Sequence, residues 1–217
     1  MNFATYPSLA GRTVFVSGGA TGIGADIVRA FALNHAKVAF VDLEAEAGKA
    51  LAADIAGMGE TALFVRCDVT DIKALQEVIA DAGARLGPVA VLVNNAANDE
   101  RHRVGEVTPD YWDHAQNVNL RHHFFAAQAI HPQMRALARA FGDDNIRVNA
   151  IEPGAVMTER QRRLWYKTPG AAEAIVKRQL IKTTLIGEDV ARMALFLGAD
   201  DSRMITKQSI AVDAGLR

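Results

Sequence analysis

The sequence predicts an α/β protein, a doubly wound parallel sheet with helices on both faces, and three observations predict it. Short apolar, β-branched runs recur, as at Thr13-Val14-Phe15-Val16 and Val89 to Val93, without the polar alternation of a half-solvated sheet. Segments of helical periodicity alternate with them. A glycine-rich stretch, Ser17-Gly18-Gly19-Ala20-Thr21-Gly22-Ile23-Gly24, stands at the first strand-to-helix junction.

The elements follow in order. Thr13 to Val16 is the first strand. Ile23 to Asn34 places Ile23, Ile27, Ala30 and Phe31 on one helical stripe. Lys37 to Val41 is the second strand, ending at Asp42. Glu44 to Met58 is alanine-rich and amphipathic, hence helical. Ala62 to Cys67 is the third strand, and Ile72 to Leu86 a helix with Asp71 as its N-cap. Val89 to Val93 is the fourth strand and runs into Asn94-Asn95-Ala96-Ala97. A helical stretch spans Pro109 to about Phe141, and Pro132 is expected to kink or end a helix there. Ile146 to Ala150 reads as a strand, Arg160 to Leu180 as polar and partly helical, Glu188 to Leu197 as a helix and Ser209 to Val212 as a last strand. The crossovers should be right-handed. No repeat, low-complexity tract or linker interrupts residues 1–217, so they read as one domain.

Composition narrows the function. Half of the 217 residues are hydrophobic, 23% are charged and the net charge is −1. That balance offers no electrostatic footprint for nucleic acid. No apolar run approaches the ~20 residues that span a bilayer, and residues 1–12 lack the pattern of a secretory signal. The single cysteine, Cys67, has no internal partner, which fits a reducing, cytoplasmic setting and a small buried hydrophobe. The six histidines show no ligand spacing, so no metal is expected. Ser202 and Ser209 lack the context of a hydrolase nucleophile. Arg160-Gln161-Arg162-Arg163 reads as the face of a substrate loop.

The glycine stretch carries the chemistry. Glycines let a backbone approach a pyrophosphate, and a helix N-terminus offers free N–H groups and a positive dipole end. Asp42 ends the second strand, 18 positions after Gly24, and Leu43 follows it. A carboxylate there accepts from both ribose hydroxyls and repels a 2′-phosphate, so NAD is expected rather than NADP.

This spacing resembles the short-chain dehydrogenase/reductase family, a Rossmann-type fold whose glycine pattern is Thr-Gly-x-x-x-Gly-x-Gly; Ser17 stands at the usual threonine. Asp68-Val69 looks like the family's adenine contact, and Asn94-Asn95-Ala96-Ala97 resembles its Asn-Asn-Ala-Gly. Asn119 matches the asparagine of the family's proton relay. Pro153-Gly154-Ala155-Val156-Met157-Thr158 matches its Pro-Gly motif beside the nicotinamide. The resemblance therefore implies a cofactor site of Ser17, Gly18, Thr21, Gly22, Ile23, Gly24, Asp42, Asp68, Val69, Asn94, Val156 and Thr158, with Asn119 catalytic. Asn98 to His102, Tyr111-Trp112-Asp113, Asn119 to His122, and Arg160-Gln161 with Trp165 to Pro169 are similar to the family's sugar dehydrogenases. Those enzymes oxidise the anomeric hydroxyl of an aldose to a lactone and pass hydride to NAD. Asn98, Arg101 and Gln161 would then read sugar hydroxyls, Trp165 would stack on a ring, and residues 157–185 would form the substrate-loop region. The ending, Asp213 to Arg217, also resembles the family's, which implies a homotetramer.

One part of the pattern is absent. The family uses a tyrosine as acid/base, with a lysine four residues on that lowers its pKa and a serine that orients the reacting hydroxyl. A free tyrosine, with a pKa near 10, is a poor base at neutral pH. Four positions after Tyr6, Tyr111 and Tyr166 stand Ala10, Ala115 and Gly170, so no Tyr-x-x-x-Lys exists here. Met134-Arg135-Ala136 looks like the end of one family helix and Leu137 to Gly142 like the end of the next. The skipped strand, loops and half-helix near 136/137 amount to about 30–40 residues. Three readings stand side by side: a protein with a stretch this chain lacks, a real deletion of one strand–helix unit, and an NAD-binding protein without turnover.

Overall fold

A computed structural model describes residues 3–141 and 146–216. β1 (Thr13–Ser17) is buried at every position. Val14 and Val16 join a core with Val28, Phe31, Phe40 and Leu195 on one side of the sheet. Phe15 joins Val41, Leu75, Ile79 and Ile130 on the other. Alternate residues face opposite layers, and both layers are apolar, which is why the strand reads as an unbroken hydrophobic run. β2 (Lys37–Asp42), β3 (Ala62–Arg66) and β4 (Val89–Asn94) complete a sheet in the order β3-β2-β1-β4, all parallel.

The register brings the strand ends together. Ser17 lies opposite Val41 on one side and Asn94 on the other, and Asp42 lies opposite Arg66. Ser17, Asp42 and Asn94 thus share the carboxyl edge of the sheet, where open α/β folds place their ligands. α1 (Gly22–Leu33) and α8 (Gly187–Gly198) contribute Ile27, Phe31, Ala191 and Leu195 to one layer. α3 (Ile72–Leu86) and α5 (His122–Phe141) contribute Leu75, Ile79, Ala126 and Ile130 to the other. α2 (Ala45–Gly57) packs beside β3.

Past β4 the sheet stops. β5 (Ala150–Pro153) pairs, among the described residues, only with β6 (Ser209–Val212), in a separate two-stranded parallel ladder. The strand expected over Ile146 to Ala150 therefore begins only at its last residue. Before it, Arg147 donates to the carbonyls of Ile205 and Leu197, and the Val148 N–H bonds the Thr206 hydroxyl. These bonds involve side chains and reach the end of α8 and the irregular segment before β6, and a ladder forms only where β6 offers a regular edge. The fold is the expected Rossmann-type one with a strand–helix unit missing between β4 and β5.

The long helical stretch is divided differently from expectation. α4 (Pro109–Gln116) leads into a π-helical turn at Asn117–Arg121, and α5 then runs on as one helix. Pro132 lies inside α5 and does not end it, nor does the helix break at 136/137. Proline removes one backbone donor, whereas Ala126 and Ile130 are fully buried within the two turns before it and anchor the helix. Gly142 and Arg217 lie outside the described residues. α6 (Glu159–Leu164) and α7 (Ala171–Arg178) supply the partial helicity of the polar segment. No helix among the described residues is long and apolar enough to cross a membrane.

Candidate active site

At the glycine turn, Gly18 has φ of +67°, and a Cβ there would fall 2.7 Å from the Ala96 Cα. Only glycine permits both the left-handed backbone and this approach of the loop after β4. A Cβ on Gly24 would collide with the Gly18 carbonyl oxygen and crowd the Asn95 side chain. The two glycines let β1, α1 and the β4 loop meet at one point.

α1 begins uncapped. Thr21 occupies its N-cap, but its side chain makes no capping hydrogen bond. By contrast Asp71, Thr108 and Thr158 cap α3, α4 and α6 through Ala74, Tyr111 and Gln161 N–H groups. An N-terminus left open in this way suits an anionic ligand. Asp42 is fixed next to it. Its Oδ2 accepts from the Ala20 N–H at 2.9 Å and its Oδ1 from the Glu44 N–H at 3.1 Å. Asp68 bonds the Thr70 N–H and hydroxyl at 2.8 and 2.7 Å, which orders the loop after β3. Burial, with Asp71 and Asp68 nearby, pushes the Cys67 thiol up, so it stays protonated and unreactive.

Ser17 is fully buried behind the turn. Its hydroxyl accepts from the Asn95 and Ala96 N–H groups at 3.1 and 3.2 Å and lies 3.4 Å from His122 Nε2. Asn95 Nδ2 returns bonds to the Ser17 and Gly18 carbonyls at 3.2 and 2.8 Å. This lattice ties the end of β4 to the glycine turn. His122 is fully buried, and burial, with His123 beside it, lowers its pKa to about 4 against an opposing contact with the Val118 carbonyl. It is neutral at pH 7. Asn94 Oδ1, at the shared edge of the sheet, is buried with no hydrogen-bond partner among the described residues.

Asn119 lies in the π-helical turn. Its Oδ1 accepts from the Asn98 N–H at 2.7 Å and its Nδ2 donates to the Asn98 carbonyl at 3.0 Å. Both amide ends are committed to one loop residue, so the side chain holds the Asn98 loop in place. That loop is clasped from above by α6: Gln161 Nε2 bonds Asp99 at 2.5 Å, while Arg160 lies 3.2 Å from Asn98 Oδ1 and 3.5 Å from Asp99. The Arg101 guanidinium stands 4.5 Å from the Trp165 ring centroid, so it covers one face of the ring.

One cleft of about 3760 Å³ joins these parts. It is lined by Gly18, Thr21, Gly22, Ile23, Gly24, Asp42, Asp68, Val69, Asn94, Val156 and Thr158, with Asn98, Arg101, Gln161 and Trp165 further along. Ser17 and Asn119 support it from behind. Four residues not singled out for the site also shape it: Asn95, His122, Asp99 and Arg160. Each lies inside a motif noted above, but no local pattern set it apart from its neighbours. An uncapped helix start, a glycine-lined approach, a fixed carboxylate and an unpartnered buried Asn94 oxygen fit a nicotinamide dinucleotide. Among the described residues no cluster of side chains is built to hold a metal.

Comparison with known proteins agrees with this geometry. Residues 12–136 match the short chain dehydrogenase family and residues 133–217 the Enoyl-(Acyl carrier protein) reductase family. A D-xylose 1-dehydrogenase of Caulobacter vibrioides is 38% identical, with all of both chains covered. A probable galactose dehydrogenase of Rhizobium meliloti is 38% identical over 97% of each. The structure of a Serratia marcescens short-chain dehydrogenase/reductase matches with a TM-score of 0.86 at 26% identity, covering 96% of this chain and 99% of that one. A blue fluorescent protein from a metagenomic library, in complex with NADPH, matches at 0.83 and 29%, with the same coverage. The Caulobacter alignment is 254 positions long against a chain of 217, so at least 37 positions have no residue here. The two family matches overlap at residues 133–136, beside the jump in the family pattern near 136/137.

Proposed function

Since the chain belongs to the short-chain dehydrogenase family, we propose that it is an oxidoreductase moving hydride from the anomeric carbon of an aldose to NAD, leaving a lactone. The observation that carries this reading is Asp42, fixed by two backbone donors at the end of β2 and facing the cleft beside the open start of α1. That carboxylate takes a ribose diol and rejects a 2′-phosphate. Gly18, Thr21, Gly22, Ile23 and Gly24 would seat the pyrophosphate, Asp68, Val69 and Asn94 the adenosine half, and Val156 and Thr158 the nicotinamide half. The bound nicotinamide supplies the hydride acceptor.

The chain's own groups bind and orient the sugar. Asn98, Arg101, Gln161 and Trp165 face it in the region 157–185 and the loop opposite, and Asn119 acts by holding Asn98. Residues 1–217 work as one domain in this reading. Trp112, Leu120 and Phe124 are exposed by 59, 62 and 65% on α4, the π turn and α5. Exposed large apolar side chains of this kind support a homo-oligomer, a tetramer by family likeness.

The hydroxyl proton that leaves with the hydride has no Tyr-x-x-x-Lys to receive it. That observation favours a second reading, an NAD-binding protein without turnover. NAD reduction by D-xylose and L-arabinose, run alongside NADH binding, separates the two. NADH formation with either sugar supports the enzyme. Binding without turnover on any aldose selects the second reading, and absence of both sinks the pair.

A further inference from the structure

Under the glycine turn, Ser17, Asn95 and His122 form a chain of polar groups. A serine hydroxyl has one hydrogen to donate and two lone pairs with which to accept. Both lone pairs of Ser17 Oγ are taken, by the Asn95 and Ala96 N–H groups at 3.1 and 3.2 Å. Its hydrogen therefore needs an acceptor, and His122 Nε2 lies 3.4 Å away. Ser17 and His122 are both fully buried, so solvent does not stand in for either. An accepting Nε2 places the proton of the neutral ring on Nδ1. Burial, with His123 edge-on at 4.3 Å between ring centroids, keeps the ring neutral at pH 7.

We propose that His122 is a positioning residue for the dinucleotide site: its Nε2 accepts the Ser17 hydroxyl and thereby holds the loop after β4 against the glycine turn. The inference rests on the proposed NAD site. Packing alone does not select a histidine here. Ala126 and Ile130, four and eight positions on along the same face of α5, are fully buried in an apolar layer that an aliphatic side chain would extend. Moreover His122 Nδ1 is buried with no hydrogen-bond partner among the described residues, a cost that an aliphatic residue avoids. What the imidazole supplies is an acceptor. Without it, the Ser17 hydrogen would turn toward the Asn95 or Ala96 N–H and compete with one of them. Asn95 Nδ2 in turn bonds the Ser17 and Gly18 carbonyls, so a loosened Asn95 frees the turn itself. The approach is close: a Cβ on Gly18 would fall 2.7 Å from the Ala96 Cα.

The test compares His122→Leu with His122→Gln in the full chain. Leucine suits the apolar neighbours and removes the acceptor, whereas the glutamine Oε1 can replace it. NADH affinity and amide exchange at Asn95 and Ala96 are measured for both. His122→Leu should weaken NADH binding about tenfold and speed the two amides about tenfold, and His122→Gln should recover most of each loss. Ser17→Ala should weaken binding about as much, and adding His122→Leu to it should change binding less than about threefold further. Leucine tolerated as well as glutamine, or effects of Ser17→Ala and His122→Leu that multiply, would overturn the proposal. Nitrogen-15 shifts of His122 in the unaltered chain decide the case even where a variant does not fold: a protonated Nδ1 and bare Nε2 support the role, and the opposite tautomer overturns it. Amide exchange and tautomer are read without cofactor. An unaltered chain that binds no NADH would therefore refute the proposed function, while these two readouts still judge the contact between His122 and Ser17.

Discussion

β1 and β4 are neighbours in one sheet, with similar apolar sequences, yet they lie in different environments. β1 is buried at all five positions, whereas β4 is buried only at Val89 and half-buried from Ala90 to Asn94. The difference comes from what stands beside them: β1 has a strand on each side, and β4 has one on a single side. In the proposed reading the closed half carries most of the cofactor cradle, with Ser17 to Gly24 and Asp42 local to β1, α1 and β2. In that reading the open half would carry the groups that exchange protons with the substrate, and no Tyr-x-x-x-Lys stands there. Binding and turnover, usually inferred together for such a fold, separate along the line between β1 and β4.

The sharpest way to break this division is to damage the closed half. Gly24→Ala drives a methyl group into the Gly18 carbonyl. It should cost about 2–4 kcal/mol in urea denaturation and abolish NADH binding by fluorescence titration. His122 tests the junction of the halves. Its folded pKa of about 4 lies below the unfolded value of 6.5, so between these the unfolded state binds more protons. Stability should be full above pH 6.5 and fall on acidification until about pH 4, by up to about 3 kcal/mol. His122→Gln should flatten this dependence in a series of denaturant melts across that range.

Asp42→Ala should weaken NADH binding by roughly 10–100-fold, matching about 1.5–3 kcal/mol for charged hydrogen bonds, and erase the preference over NADPH. An unchanged preference would remove Asp42 from its role. The smallest effect compares the strands directly. Val16→Ala in β1 should cost about 2 kcal/mol, and Val91→Ala in β4 under about 1 kcal/mol, because Val91 already meets the cleft. Equal losses would mean that β4 is as enclosed as β1.

The sequence revealed what local patterning controls. Ile72–Leu86 has strong periodicity and an Asp71 cap, and Ser209–Val212 is a short apolar run after a turn; both appear with the expected bounds. Thr13 to Asp42 was legible for the same reason, since every cradle residue there follows the last within one βαβ unit. Ile146 to Ala150 was not, because a strand needs an adjacent edge, and only β6 beyond Ser209 provides one. The π-helical turn at Asn117–Arg121 hid inside a continuous helical pattern. The Asp99 clasp joins residues 62 positions apart through Gln161, a pairing with no sequence signature. The discontinuity near 136/137 was visible only as absent residues, and its consequence, an opened sheet, required the strand order.

In the proposed reading the closed half is a finished NAD cradle. Titration of the purified chain with NADH and with NADPH tests this most directly. The prediction is one NADH per chain, bound at least about tenfold more tightly than NADPH. No saturable binding, or NADPH binding as tightly, would contradict it.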